Sequence, residues 1–166
     1  MRLEIHNEIA KMICSEIRKL GFHIHKTLFL FGNLFPDLIQ SYIWCRHEYK
    51  YSREYIRKKI DRIKNKPLFF SFHLGILAHY ICDYFCYPHT TVYNEGFINH
   101  VAYEVNQKIH EKFIRLNMPI NNITIEELDK YVDWFESFRS FIDDDESDYH
   151  IASTVALNFL EAAYLM

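Results

Sequence analysis

His79-Tyr-Ile-Cys-Asp83-Tyr-Phe-Cys-Tyr-Pro-His89 is the stretch on which the reading of this chain turns. Four residues separate His79 from Asp83, so both side chains leave one face of a helix. Pro88 bends the chain and re-aims His89. The flanking run Leu74-Gly-Ile-Leu-Ala is strongly apolar, and a lone aspartate buried there costs several kcal/mol unless it is paired or metal-bound. A second pair, His100 and Glu104, has the same spacing farther on. Two such pairs on consecutive helices converge in a bundle core. Imidazole with carboxylate suits zinc, with manganese or iron as alternatives. The blander readings are a satisfied core histidine or a surface ion pair at helical spacing. One pair decides nothing between them; two pairs plus His89 favour a metal site. His73 and His110 lie six positions from His79 and Glu104, about 240° around a helix, and are predicted to point elsewhere. His23, His25 and His150 are read as having no acidic partner at a useful spacing.

Working outward, the pattern is helical throughout. Ile5, Ile9, Met12, Ile13, Ile17 and Leu20 recur at helical spacing, and Gly21 is a natural stop. A second helix is predicted from about His25 to Leu34, ending before Pro36. Ser52 to Lys64 forms a basic amphipathic helix. Pro67 is expected to start a long apolar helix that breaks at Pro88. Further helices are expected from Phe97 to Leu116, from the capping box of Thr124 and Glu127 to Ile142, and from His150 to Leu165. The acidic run from Asp143 to Glu146 is read as a solvated turn. Only 4 Gly and 4 Pro punctuate the chain, which disfavours many short strands. The expectation is an all-α, single-domain bundle of about seven helices over residues 1–166, with no linker.

Bulk composition narrows the function. With 49% hydrophobic and 25% charged residues, the chain supports a packed core. A net charge of -3 argues against a general nucleic-acid binder. Acids and a histidine interrupt the N-terminal Met-Arg-Leu-Glu-Ile-His-Asn-Glu, so no signal-peptide core is read there. The most apolar segment carries His73, His79 and Asp83, which a membrane span rarely tolerates. A cytoplasmic location without transmembrane segments is expected. Cys14, Cys45, Cys82 and Cys86 form no Cys-x-x-Cys pair and are read as reduced thiols.

These motifs resemble the bacterial zinc-dependent phospholipase C family, which includes phosphatidylcholine-hydrolysing enzymes and the catalytic domain of alpha-toxin. The family order is a first-helix His, an Asp after Pro, a His, then His-x-x-x-Asp-x-x-x-x-x-His and His-x-x-x-Glu. Here it is filled by His6, Asp37 in Phe-Gly-Asn-Leu-Phe-Pro-Asp, His47, His79, Asp83, His89, His100 and Glu104. The resemblance implies two or three zinc ions. One would be held by Asp37, His47, His79 and Asp83; a second by His89, His100 and Glu104; a third by His6 and Asp83, with Asp83 bridging. The family closes its third site with an N-terminal Trp. This chain has Met1 instead, whose amine is close enough in sequence to His6 to reach.

The implied reaction is hydrolysis of a phospholipid to diacylglycerol and a phosphorylated headgroup, with Asp37 orienting or deprotonating the water. Trp44 occupies an aromatic position that suits a quaternary ammonium, but Leu38 stands where choline-selective members place Tyr. The basic segment 53–66 is either a solvated face or a peripheral contact for anionic lipid. The competing expectations are a nuclease-like or other soluble phosphodiester hydrolase, and a zinc-binding module without catalysis.

Overall fold

The structure, a computed structural model, describes residues 1–40, 47–65, 68–107, 114–141 and 145–165. Trp44, Cys45, Lys66, Pro67, His110, Asp143 and Asp144 lie outside the described residues. Seven α-helices run through the described chain: α1 Leu3–Lys19, α2 Lys26–Phe35, α3 Tyr49–Lys64, α4 Phe70–Tyr84, α5 Gly96–Asn106, α6 Ile125–Arg139 and α7 Asp145–Leu165. A π-helical turn, Pro36–Gln40, follows α2, and a 3-10 turn, Tyr87–His89, follows α4. No strand occurs among the described residues, in keeping with the all-α expectation.

Local chemistry explains the boundaries. The α1 stripe buries Ile5, Ile9, Ile13 and Ile17. Gly21 ends α1 with φ +84, and Gly21 and Phe22 N–H donate to Arg18 O and Ile17 O at 3.0 and 3.2 Å. That is a Schellman closure, which a side chain at the left-handed position would strain. Thr124 caps α6 by accepting from Glu127 N–H at 3.1 Å.

Several expected boundaries are corrected. The helical course does not stop at Pro36, since its φ of -58 suits the first turn of the π segment that follows. Helix α4 ends at Tyr84 rather than running to Pro88. A proline ring clashes with the carbonyl four residues back in a helix, and here that residue is Tyr84. Helix α5 stops at Asn106, well short of Leu116, because Gln107 turns extended (ψ 129) and buries its side chain beside Cys86. Helix α3 begins at Tyr49, three residues before Ser52. Helix α7 begins at Asp145, so Asp145 and Glu146 are helical rather than part of a turn.

Helix α4 is the axis of the molecule, with every residue from Leu74 to Tyr84 buried. A helix apolar all round belongs in a core, and α1, α2, α3 and α7 pack against it. The α2–α4 crossing is very close. A Cβ on Gly32 would lie 2.1 Å from Phe72 O, and one on Gly75 would lie 2.1 Å from Phe29 O. This contact sets Asp37, just beyond α2, against the C-terminal half of α4. On the outer face of α3 the basic side chains are largely engaged. Arg53 pairs with Asp129 at 2.6 Å, and Arg57 with Glu54 and Asp61 at 2.7 and 3.0 Å. No helix among the described residues is long and apolar enough to cross a membrane.

Candidate metal centre

Six elements deliver side chains to one point. Helix α1 brings His6, the π turn brings Asp37, and the segment before α3 brings His47. Helix α4 brings His79 and Asp83, the 3-10 turn brings His89, and α5 brings His100 and Glu104. The eight residues singled out from the sequence fall into three ligand groups. These are His6, His79 and Asp83; Asp37, His47 and His79; and His89, His100 and Glu104. Within each group the candidate ligand atoms lie within 4.8 Å of one another.

Asp83 is fully buried at the middle. Its Oδ1 is 3.0 Å from His6 Nε2, and its Oδ2 is 2.7 Å from His47 Nδ1 and 3.2 Å from His79 Nε2. On one side Asp37 Oδ1 lies 3.6 Å from His79 Nε2 and 3.8 Å from His47 Nδ1. On the other, Glu104 Oε1 lies 3.3 Å from His89 Nε2 and 3.2 Å from His100 Nε2. The His6 and His79 rings stack with centroids 4.0 Å apart. Asp37, His100 and Glu104 are partly exposed, whereas His6, His79 and Asp83 are sealed. The centre is therefore closed behind and open along one edge, where Leu38 stands exposed beside Asp37.

The Met1 amine enters this cluster. It lies 3.0 Å from Asp83 Oδ1, 3.0 Å from His89 Nε2 and 2.9 Å from Glu104 Oε1. Arg2 holds it there, since its Nη1 donates to Val105 O at 2.8 Å and so ties the start of α1 to α5.

Burial and charge set the protonation. Burial holds the His79 and His89 imidazoles down at about 4, aided for His79 by the neighbouring His6 and for His89 by the Met1 amine. Burial likewise lowers His6. Burial would also lower His47, but the Asp83 carboxylate outweighs it and His47 is raised. Burial alone would raise the Asp83 carboxyl, yet the Met1 amine, His6, His89 and His79 hold it well below the usual range. Burial raises Asp37, with the Asp83 charge adding to it and His79 and His47 opposing.

The residues fit zinc on their own geometry. Neutral imidazoles and ionised carboxylates are its ligands. Asp83 Oδ2 sits within 3.2 Å of two imidazole nitrogens and accepts a hydrogen bond from neither. A buried carboxylate oxygen in that position costs free energy unless a cation meets it.

Some readings need adjustment. Trp44 lies outside the described residues, so the aromatic position proposed for headgroup contact has no structural account. His150 does have an acid at helical spacing: Glu146 Oε1 lies 3.8 Å from its Nε2. His73 sits 3.3 Å from Lys59 Nζ, away from the centre. Cys14, Cys82 and Cys86 are free and buried, and burial pushes Cys86 up to about 12, so it stays a thiol.

Sequence reading missed Asn33. Its buried amide is satisfied when Nδ2 donates to His6 O at 3.1 Å and Oδ1 accepts from His79 N–H at 3.3 Å. It thus ties two ligand-bearing helices together by their backbones, and its only sequence signal was a polar residue within the apolar Phe-Gly-Asn-Leu-Phe.

A family model described as zinc dependent phospholipase C covers residues 5–150. Comparisons with curated proteins and with solved structures returned no match.

Proposed function

The chain belongs to the zinc-dependent phospholipase C family, and from that premise we propose that the centre around Asp83 hydrolyses a phospholipid at its phosphodiester. The expected products are diacylglycerol and a phosphorylated headgroup. The observation that carries this reading is the meeting of three ligand groups at one buried carboxylate, with one edge open to solvent. Two or three ions fit this donor set. Asp37, His47, His79 and Asp83 would hold one, and His89, His100 and Glu104 a second. His6 and Asp83, closed by the Met1 amine, would hold a third, with Asp83 shared. Zinc bound there supplies a water of lowered pKa and positive charge for the phosphoryl oxygens.

The chain's own groups do the rest. Asp37 stands at the open edge, partly exposed beside His47 and His79, where a general base can meet an incoming water. It orients the attacking water and takes its proton. The sealed wall of His6, His79 and Asp83 keeps bulk water from the rear, where it would weaken every electrostatic contact. His100 and Glu104, partly exposed on α5, border the opening across from Asp37.

The test is zinc content of purified protein by elemental analysis, followed by hydrolysis of phosphatidylcholine, other phospholipids and single-stranded DNA. Two or more zinc per chain with release of phosphorylated headgroup from a lipid is the expected result. At most one metal per chain after growth with ample zinc, or cleavage of DNA but of no lipid, would overturn the reading.

A further inference from the structure

A second buried charge lies behind the His89 side of the centre. Asp148 on α7 is fully buried, and Arg139 at the end of α6 is 4% exposed. Arg139 Nε lies 3.3 Å from Asp148 Oδ1. Asp148 Oδ2 accepts two hydrogen bonds, from Tyr87 N–H at 2.9 Å and from the Tyr103 hydroxyl at 2.5 Å. Tyr87 opens the 3-10 turn that ends in His89, and Tyr103 immediately precedes Glu104 on α5. We propose that Asp148 is a positioning residue for the half of the centre formed by His89, His100 and Glu104. The proposal rests on the zinc reading above.

A buried ion pair that only fastens α6 to α7 is the plainer account, and the attachment of α5 argues against it. None of the described side chains of α5 is fully buried. Its outer residues Ile98, Val101 and Val105 are 82%, 43% and 62% exposed. Among the described side chains of this helix, Tyr103 alone packs against the apolar core, so polar contacts carry more of its seating than is usual for a helix. Its described polar anchors are Tyr103 on Asp148, Glu104 on the Met1 amine, and Val105 O on Arg2. The 3-10 turn is held in the same way, through the Tyr87 N–H on Asp148, with the Arg139 guanidinium 4.3 Å from the Tyr87 ring centre. One carboxylate oxygen therefore fixes the relative position of two ligand-bearing segments, while α7 itself supplies no ligand. Arg139, with its Nε 3.3 Å from Asp148 Oδ1, places a positive charge beside that carboxylate.

The experiment is graded removal of zinc by a competing chelator from native protein and four variants: Asp148→Asn, Tyr103→Phe, Ser153→Ala and His100→Ala. Ser153 lies on the same helix, but its hydroxyl bonds back to Tyr149 and His150 carbonyls at 2.8 and 3.2 Å and reaches no ligand-bearing segment. His100→Ala marks the zinc that belongs to this half. Loss of a partner that orients metal ligands typically weakens binding about 10–100-fold. In Asp148→Asn, and to a smaller extent in Tyr103→Phe, that same zinc should leave at chelator concentrations lower by about this factor, with the remaining zinc held as in native protein. Ser153→Ala should keep the native profile. If Asp148→Asn does not fold, Tyr103→Phe decides alone. Native zinc retention in the folded variants would overturn the proposal, and so would equal loosening of all zinc. Absence of zinc from the native protein would instead overturn the reading on which the proposal rests.

Discussion

Gly75 and Gly32 meet where α4 crosses α2, so closely that a Cβ on Gly75 would stand 3.0 Å from Gly32 C and 2.7 Å from Asn33 N. The same crossing carries Asn33, which links the His6 and His79 backbones, and leads directly to Asp37. Gly75→Ala is therefore expected to push the helices apart. The neighbouring atoms are backbone and cannot yield by a change of rotamer. Overpacking of this kind costs roughly 1–3 kcal/mol, and it should lower zinc affinity as Asp37 moves from His79. Urea unfolding of the variant beside native protein measures the first effect, and chelator competition the second. Native values in both would show that the crossing has room to spare.

Asp83→Asn tests the shared ligand. Removing one partner of a buried, paired charge costs on the order of 3 kcal/mol or more, and the Met1 amine and His6 both lie 3.0 Å from the lost oxygen charge. Zinc content should fall along with the melting temperature. Full zinc and an unchanged Tm would mean that Asp83 bridges nothing.

Acid should destabilise the metal-free protein between pH 6.5 and about 4. Burial holds His79 and His89 at about 4 in the fold, against an ordinary value of 6.5 in the unfolded chain. The unfolded chain then binds more protons across that window, so stability falls as pH falls through it. His47, raised by Asp83, and Asp37, raised by burial, work in the opposite direction but are two groups against three, since His6 is lowered as well. Unfolding free energy of chelator-treated protein, measured across this range, should drop steadily towards the acid end. A flat or rising profile would contradict the burial of these rings.

The Met1 amine lies within 3.0 Å of Asp83, His89 and Glu104. Residues added before it convert the amine to an amide, which neither ligates nor carries charge. The extended protein is expected to lose the zinc shared by His6 and Asp83 while keeping the other two, and to hydrolyse substrate more slowly. Zinc stoichiometry and rate, compared for chains whose start is verified by mass spectrometry, report this. Equality in both would remove the amine from the site.

Much of this molecule was legible in the chain itself. The i, i+4 pairs His79/Asp83 and His100/Glu104 are local, because helix geometry alone puts four-apart residues on one face. The stripe of α1, the Gly21 stop and the Thr124 cap are local for the same reason, and the resemblance ordered the eight candidate ligands. Boundaries failed where distant contacts overrode nearby preference. Pro36 continues a helical course, Gln107 leaves α5 to bury itself beside Cys86, and α7 already includes Asp145, with Asp148 one turn on bonded to Tyr87 and Tyr103. What only the tertiary structure decided is how the candidate ligands are held: the Gly32–Gly75 crossing, the Asn33 link, the Met1 amine among carboxylates, and the buried Asp148 behind α5. Each joins groups remote in sequence. A chain's local periodicity carries no information about which buried donor meets which acceptor; packing settles that pairing, because every buried polar group must find a partner where the helices leave it.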